Sequence, residues 1–578
     1  VKRLGLVLIL LFAMVMTISG QDIPEVARED TVIFDIDAAS VGSPFNYNWF
    51  IPGTSRNQGM HQAVWEPLFI LNYETGEIQP WLGESMEPND TLDVWTLKLF
   101  EGIKWQDGED FNADDVIWTV NFLKDNAGFN GSGEIGPWVE SVEKIDDLTV
   151  QFNLTRPNPR FQLDTFSVRI WGSVLIMPEH VFSEVDDIET FTFFDPDQGW
   201  PFGTGPYRLV TNDETSWIYD RFDDYWGVDV HGLPEPLRLE FIITGPEETK
   251  ALLLADNELD SAMDMSLGAL ESAITQNPNV IAWFDGMPFA WPDPCPRELT
   301  LNHTVEPWGN ADMRQAISLI IDREQVVEVA YEGTTISSRT FFVDYGGLAP
   351  VLDSVEQIPA SANVAAAQEL IEANGYTLND DGFYEQDGEV LSLNIQASED
   401  FIEKRRIANV VAEQLRLAGI DATVSIVAGP TWNTNKSIGQ YEGVLNWDFC
   451  ASVNEPWASL DQYNVRWLAP IGEETAGRTR NIMRWSGEAA EEYSAIVDEL
   501  GTLPLGDPQV VELATEAYDI LLQEQVSIPI TQAKKIVPFN TTFWEGWPTA
   551  ENNYNHPATW WNSTHQIIHN LTKSGVTE

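Results

Sequence analysis

The sequence predicts an α/β chain with several buried cores. Strand signals alternate with capped-helix signals along it, a capped helix feeds directly into an alternating strand near residue 420, and its 578 residues amount to roughly three to four domains' worth of material.

The elements can be justified in order. Residues 31–37 alternate as a short strand, and 46–57 form a loop bearing Trp, Tyr, Pro and Gly. Segments 64–72 and 77–81 then lead to residues 95–119, WTLKLFEGIKWQDGEDFNADDVIWT, the most legible run of the chain. Trp95, Leu97 and Leu99 alternate with polar partners as in a half-buried strand, and turns at Glu101-Gly102 and Asp107-Gly108 bracket Ile103 and Trp105. Asn112 stands at an N-cap, with Asp114 and Asp115 in the first turn where carboxylates complement free backbone N–H groups. At 203–207, GTGPY, two glycines give the backbone freedom and Pro206 fixes the entry to a strand at 207–210. Asn310 caps a helix carrying Met313, Ala316, Ile317, Ile320 and Val327 at helical spacing and closing near Gly333. Residues 363–375 form a second capped helix, and 407–419 a third that enters the strand of Ile420, Ala422, Val424 and Ile426.

These motifs carry a resemblance. The run at 95–119, WEPLFILNYETGEIQPWLGE before it, LIMPEHVF at 175–182, GTGPY, DDYWG at 223–227 and MRQAISLIIDREQVV resemble the family-5 solute-binding proteins. These are the oligopeptide- and dipeptide-type receptors of ABC importers. The resemblance covers nearly the whole chain after residue 30, and residues 527–530 with Gly546 correspond to the family's returning C-terminal segment. It implies a two-lobed periplasmic-binding-protein-like fold of the large type with an additional third domain. Residues 21–72, 202–290 and 525–578 would form a discontinuous first lobe, 73–201 the extra domain and 291–524 the second lobe, with hinge crossings near 290 and 524.

Composition bounds the partners. With 31 Lys+Arg against 91 Asp+Glu, the formal charge of −60 repels phosphate backbones and anionic head groups, so nucleic acid is excluded as a partner. Because the acids are spread along the chain, they read as a solvated surface rather than a binding tail. Lys2 and Arg3 precede an uncharged run ending in Ser19-Gly20, the outline of a secretion signal over residues 1–20, with an uncleaved anchor as the alternative. No cysteine near that region offers a lipid tether. Eight sequons, beginning at Asn89, Asn130, Asn153, Asn302, Asn435, Asn540, Asn562 and Asn570, are permissive for a glycosylated cell-surface protein.

Motifs for catalysis are missing: no P-loop, HExxH, GxSxG or CxxC occurs, so an enzyme is not supported and no cofactor is called for. His565 and His569 are spaced i, i+4, but no third ligand lies nearby; a surface tail is expected there rather than a metal site. Cys295 and Cys450 can pair or stay buried as small apolar residues. The resemblance favours pairing, since CASVNEP at 450–456 is similar to the CADYNEP of oligopeptide-binding members, whose cysteine bonds to one at the start of the same lobe. In that motif the Asp grips a peptide's N-terminal amine, and here Ser452 takes its place, which a buried ammonium cannot use in the same way. Asp448 would substitute only with a shifted ligand.

Most of the 23 tryptophans read as core filling, while flat indole faces in a cleft would stack on sugar rings. Trp432, Trp447, Trp457 and Trp467 cluster around the segment that faces the cleft in relatives, and Asn446, Asp448 and Asn454 are placed to bond hydroxyls. PIGEETAGRTRNIMRWS at 470–486 is similar to the oligosaccharide-binding branch. The expected ligand contacts are therefore Trp432, Asn446, Trp447, Asp448, Ser452, Asn454 and Trp457, around a ligand left open between an oligopeptide and a β-linked oligosaccharide. The chain is expected to act as a monomer outside the cell, closing on its solute and delivering it to a membrane permease. A surface adhesin or signalling receptor on the same fold is the alternative.

Overall fold

The computed structural model describes residues 23–577 except 37–39, 73–74, 169–172, 344, 400–401, 447–453, 476–478, 533 and 560–561. Three sheets of four or more strands organise them. In the first, Thr31–Asp35 runs parallel to Arg238–Ile242, and Ser216–Arg221 and Tyr207–Asn212 extend the sheet antiparallel. The period of two puts Val32, Phe34, Trp217, Tyr219, Leu239 and Phe241 in the core. The second sheet is wholly antiparallel, in the spatial order Gly83–Pro88, Val94–Leu99, Thr149–Leu154, Val139–Asp146. The third has the order Asp421–Val427, Ser392–Ser398, Gly443–Asn446, Arg297–Leu301, Ile528–Thr531; its first three strands are mutually parallel, and Arg297–Leu301 is antiparallel to both neighbours.

Local signals explain most helix starts. Asn112 Oδ1 accepts from the Asp114 N–H (2.8 Å), and Asp115 Oδ2 accepts from the Asn112 N–H (2.9 Å), a reciprocal cap that fixes the start of Ala113–Asp125. Asn363 caps Val364–Ala373 as expected. The single helix read from Asn310 to Gly333 is two, Ala311–Ile320 and Arg323–Tyr331. Helical periodicity ran across the break because both pieces bury one face. Asp322 stops the first by capping the second, accepting from Gln325 N–H (2.9 Å), and the buried Arg323 turns to the carbonyls of Ser318 and Pro529.

The first two sheets are joined by one side chain. Gln106 Nε2 donates to the carbonyls of Gly205 and Tyr207, each at 2.7 Å, and the Gln106 N–H donates to Gly203 O (2.9 Å). A Cβ on either glycine would collide with the backbone carbonyls of Ala63 and Val64, so the turn needs glycine for close approach. Around this clamp a continuous core runs from the first sheet through the second, from Val32 and Phe34 to Leu97 and Phe152. The third sheet has its own cores, one with Ile317, Val411 and Leu415 and another with Tyr463, Tyr493 and Tyr518. Between the two bodies, Trp291–Pro292 pairs antiparallel with Lys534–Lys535. Ile528–Thr531 belongs to the third sheet, next to Arg297–Leu301.

Two further expectations change. The C-terminal histidines are not a surface tail: they lie on the helix Thr564–Asn570, packed against residues 60–65. His565 is buried and its Nε2 donates to Trp65 O (3.0 Å), while His569 meets Trp81 and Tyr225, and His231 stacks on Trp81 at 4.2 Å. Amid them Glu66 accepts from Trp81 Nε1 (2.9 Å), Tyr225 OH (2.6 Å) and Trp226 Nε1 (3.0 Å). Burial holds both C-terminal imidazoles below the ordinary range, His569 at about 3. Among the described residues no group of His, Cys, Asp and Glu is arranged to hold a metal. Sequon positions 302, 540 and 562 are buried, and Asn302 donates to Gly439 and Tyr441 carbonyls, so these three act in packing rather than as glycan sites.

One buried acid gives the fold a pH signature. Glu298, in the third sheet opposite Asn446, is 1 % exposed and accepts from Ser527 Oγ (2.8 Å). Burial pushes its carboxyl up to about 7. Unfolded, it loses its proton near the ordinary glutamate value, so between there and 7 the folded state binds a proton the unfolded state lacks, and stability falls as pH rises, by about 3 kcal/mol at full titration. Thermal unfolding from pH 5 to 8 should therefore show a steeper loss in the parent than in Glu298→Gln, with the variant the more stable at pH 8. Parallel curves would show that Glu298 keeps an ordinary titration.

Candidate functional site

A cavity of about 800 Å³ is lined by Trp138, Arg156 and Asp164 on one side and Trp457, Asp461, Arg466, Trp467, Arg480 and Asp498 on the other. Its far wall is set by short turns: Trp457–Leu460 is a one-turn helix, and Asp461–Tyr463 and Val465–Trp467 continue it as tight 3-10 turns. Such turns bring residues close together in sequence onto one surface. Asp461, 3 % exposed, is the hub: Arg466 pairs with it, Arg480 Nη1 lies 3.7 Å away, and Trp467 Nε1 donates to its carbonyl (2.9 Å) and carboxylate (3.2 Å). Burial pushes the Asp461 carboxyl up while Arg466 and Arg480 pull it back. Arg466 also pairs with Asp498.

Each cavity indole has a guanidinium over it. Arg156 lies 4.4 Å from the Trp138 ring centroid, Arg160 5.0 Å from Trp457, and Arg466 and Arg480 4.9 and 4.4 Å from Trp467. Arginine suits these places because its weakly hydrated plane stacks on aromatic faces. Trp457 also fits closely against Gly501, where a Cβ would collide with its Nε1.

Beneath the cavity the two bodies are tied directly. Arg160, 1 % exposed, pairs through Nε with Glu455 Oε2 (3.1 Å) and donates through Nη1 to Gly501 O (3.0 Å). Glu455 is held in turn by the N–H groups of Trp457 (2.8 Å) and Ala458 (3.1 Å). Asn454 stands across the same junction, its Cβ 3.9 Å from where a Cβ on Gly76 would lie.

The expected contacts divide accordingly. Trp457 lines the cavity and Asn454 faces the opposite body. Asn446 is fully buried at the end of its strand. Trp432 lies in the core beside the third sheet, 2 % exposed, with Lys404 and Lys436 Nζ each 4.1 Å from its ring centroid. A large indole beside two buried ammonium groups offers them its π face, and that packing outweighs the sequence proximity that suggested a cleft role. Trp447, Asp448, Cys450 and Ser452 lie outside the described residues. Trp138, Arg156, Arg160, Asp461 and Arg480 were missed. The signal was available in part, since two arginines in TRPNPR stand out in a chain so poor in basic residues.

Comparison with known proteins gives the family and the fold. The sequence model for bacterial extracellular solute-binding proteins, family 5, matches residues 77–466. A curated relative, the glutathione-binding protein GsiB of Escherichia coli (strain K12), is 25 % identical over 533 residues, spanning 90 % of this chain and 92 % of its own. The periplasmic oligopeptide-binding protein of an oligopeptide ABC transporter from Thermotoga maritima superposes with a TM-score of 0.83 at 21 % identity, covering 95 % of this chain and all of its own. Its mannohexaose-bound form gives 0.75 at the same identity, over 96 % of this chain and all of its own.

The Arg160–Glu455 pair is testable as a latch. Removing one partner of a buried pair costs about 3–5 kcal/mol when the survivor stays buried. Here the lobes can part and let Glu455 hydrate, so Arg160→Ala should enlarge the radius of gyration by small-angle scattering while the melting temperature drops little. A large drop with unchanged dimensions would show that the pair supports folding rather than closure.

Proposed function

Because the chain belongs to family 5 of the bacterial extracellular solute-binding proteins, we propose that the indole-walled cavity holds an oligomeric solute, an oligopeptide or an oligosaccharide, for delivery to an ABC permease. The chain is a solute-binding protein and not an enzyme, and the family acts in the periplasm or outside the cell. No helix among the described residues is long and apolar enough to cross a membrane. The observation that carries the proposal is the cavity itself: about 800 Å³, within the range of small-ligand sites, and walled by Trp138 from one body and Trp457 and Trp467 from the other. A solute touching both walls favours the closed arrangement by its differential contacts, and a permease reads that arrangement.

Both ligand classes have support. The Thermotoga protein is described with mannohexaose and the Escherichia coli relative as glutathione-binding. Ser452 in place of an amine-gripping Asp, together with the indole walls, tilts the balance toward sugar. In thermal-shift assays β-linked oligosaccharides should raise the melting temperature at least as much as tetra- and pentapeptides, a ligand at 100 times its Kd adding about 2.7 kcal/mol. Trp457→Ala, once shown to remain folded, should lose the response. Peptide responses that vanish on N-acetylation, with none to sugars, would restore the peptide reading; an unaltered response in Trp457→Ala would move the site elsewhere.

We also propose the Cys295–Cys450 disulfide. Cys295 is buried just before Arg297–Leu301, and the likeness of CASVNEP at 450–456 to CADYNEP is what supports pairing it with Cys450. A bridge there closes a long loop and stabilises by about 2–4 kcal/mol. Non-reducing peptide mapping should find the two cysteine peptides linked; two alkylated thiols in unreduced protein would refute it.

A further inference from the structure

We infer that the helix Thr564–Asn570 is an acid-released clasp: it closes the first lobe at neutral pH, and protons taken up by a buried group of imidazoles let it go. Four of the chain's seven histidines converge at this helix. His565 and His569 belong to it, His61 comes from the residues 60–64 against which it packs, and His231 ends the short helix Val228–His231. Indole rings join them. Trp81 stacks on His231 at 4.2 Å and meets His565 and His569 at 5.9 and 5.4 Å, and His231 lies 6.2 Å from His569. His61 lies 5.8 Å from the Trp65 ring, and the Trp65 carbonyl accepts from His565 Nε2 at 3.0 Å.

The packing suits neutral imidazoles and has no place for charged ones. His565 is 1 % exposed and His61 8 %. His61 Nε2, His565 Nδ1 and both nitrogens of His569 are shielded from solvent and have no hydrogen-bond partner among the described residues, although the carbonyls of His231 and Gly232 face His569. A proton added to His61 or His565 therefore makes a buried cationic donor with nothing to meet it. The charged groups facing the cluster among the described residues are Glu66 and Arg56. Glu66 is opposite in sign, but its oxygens already accept from Trp81, Tyr225 and Trp226, and Arg56 sets a like charge beside His61. Tyr225, the other titratable neighbour, is held neutral by burial as the donor to Glu66. Burial is the first cause holding all four imidazoles below the ordinary histidine range, and Glu66 offsets it only in part at His565 and His231.

The sign of the pH effect follows. With the helix detached, His565 and His569 stand in water and titrate near the ordinary value of about 6.5. Below it the open state binds protons that the closed state refuses, so closure weakens as pH falls, each imidazole exposed on opening changing the opening constant by about tenfold per pH unit. None of these residues lines the cavity, so the clasp acts on the integrity of the first lobe and not on solute contacts.

Hydrogen exchange on the full chain, read by mass spectrometry from pH 8 to 5 and corrected for the intrinsic chemical rate, tests this. Peptides spanning 564–570 should show an opening constant that is level above about pH 6.5 and rises at least about 100-fold per unit below it, the slope of two imidazoles, while the helix Gln509–Glu524 keeps its protection. His565→Gln keeps a donor for the Trp65 carbonyl but takes up no proton, and should lessen that slope by about tenfold per unit. Opening constants for 564–570 that stay level down to pH 5 would overturn the inference, as would a slope in His565→Gln equal to the parent's. Equal acid dependence in Gln509–Glu524 would also overturn it, since the whole molecule would then be loosening; this contrast is read in the parent chain and decides the matter even where the variant does not fold.

Discussion

The arrangement of the molecule depends on how Gln106 meets the GTGPY turn. One side-chain amide serves two backbone carbonyls, those of Gly205 and Tyr207, and its main chain serves a third, that of Gly203. In a buried position these groups would otherwise be left without partners, a cost the fold avoids only if the extra domain stays seated on the first lobe. The shared core built around that joint makes the two a single body. The third sheet has cores of its own and is joined to the rest by the pairing of Trp291–Pro292 with Lys534–Lys535 and by the Arg160–Glu455 pair. A cleft between one broad body and one separately packed lobe follows from where the cores are continuous and where they are not.

That geometry also explains the chemistry of the cleft. Its walls meet through Arg160 and Glu455, a charge pair well removed from water, with each ion held by further hydrogen bonds to the backbone. Buried pairs are weak contributors to net stability but strict about position. The pair therefore favours one relative placement of the two walls, with Trp138 on one side of the cavity and Trp457 and Trp467 on the other. Surface acidity contributes little to this, because exposed charges further apart than the screening length of physiological salt barely interact.

Elements governed by neighbours in sequence were legible, and those governed by distant packing were not. The Asn112 cap, the WQDG and GTGPY turns and the helix capped by Asn363 are local devices, complete within a few residues. That the two turns bond to each other through Gln106 could not be read, since nothing in either stretch names its partner. Asp322 was passed over because an apolar period that continues on both sides of a break hides the break. Trp432 and Trp457 look alike in the sequence, and only the third dimension puts one against two lysines in a core and the other beside a cavity. Arg156 and Arg160 carry no local mark either, since the indoles they cover, Trp138 and Trp457, lie elsewhere in the sequence.

The C-terminal segment bears on the order in which the chain can be assembled. Trp544 Nε1 donates to the carbonyl of Thr31 and His565 to that of Trp65, so the first lobe is completed by contacts spanning nearly the length of the sequence. The strands and helices of the second lobe lie wholly between those ends. A chain made or exported from its N-terminus can close the second lobe while the first is still missing its final strands and the helix Thr564–Asn570. Contacts so remote form slowly, since each must first bear the entropy of closing a very long loop. The first lobe is thus closed last, by the pairing of Trp544–Glu545 with Thr572–Lys573 and by the helix Thr564–Asn570 settling against residues 60–64.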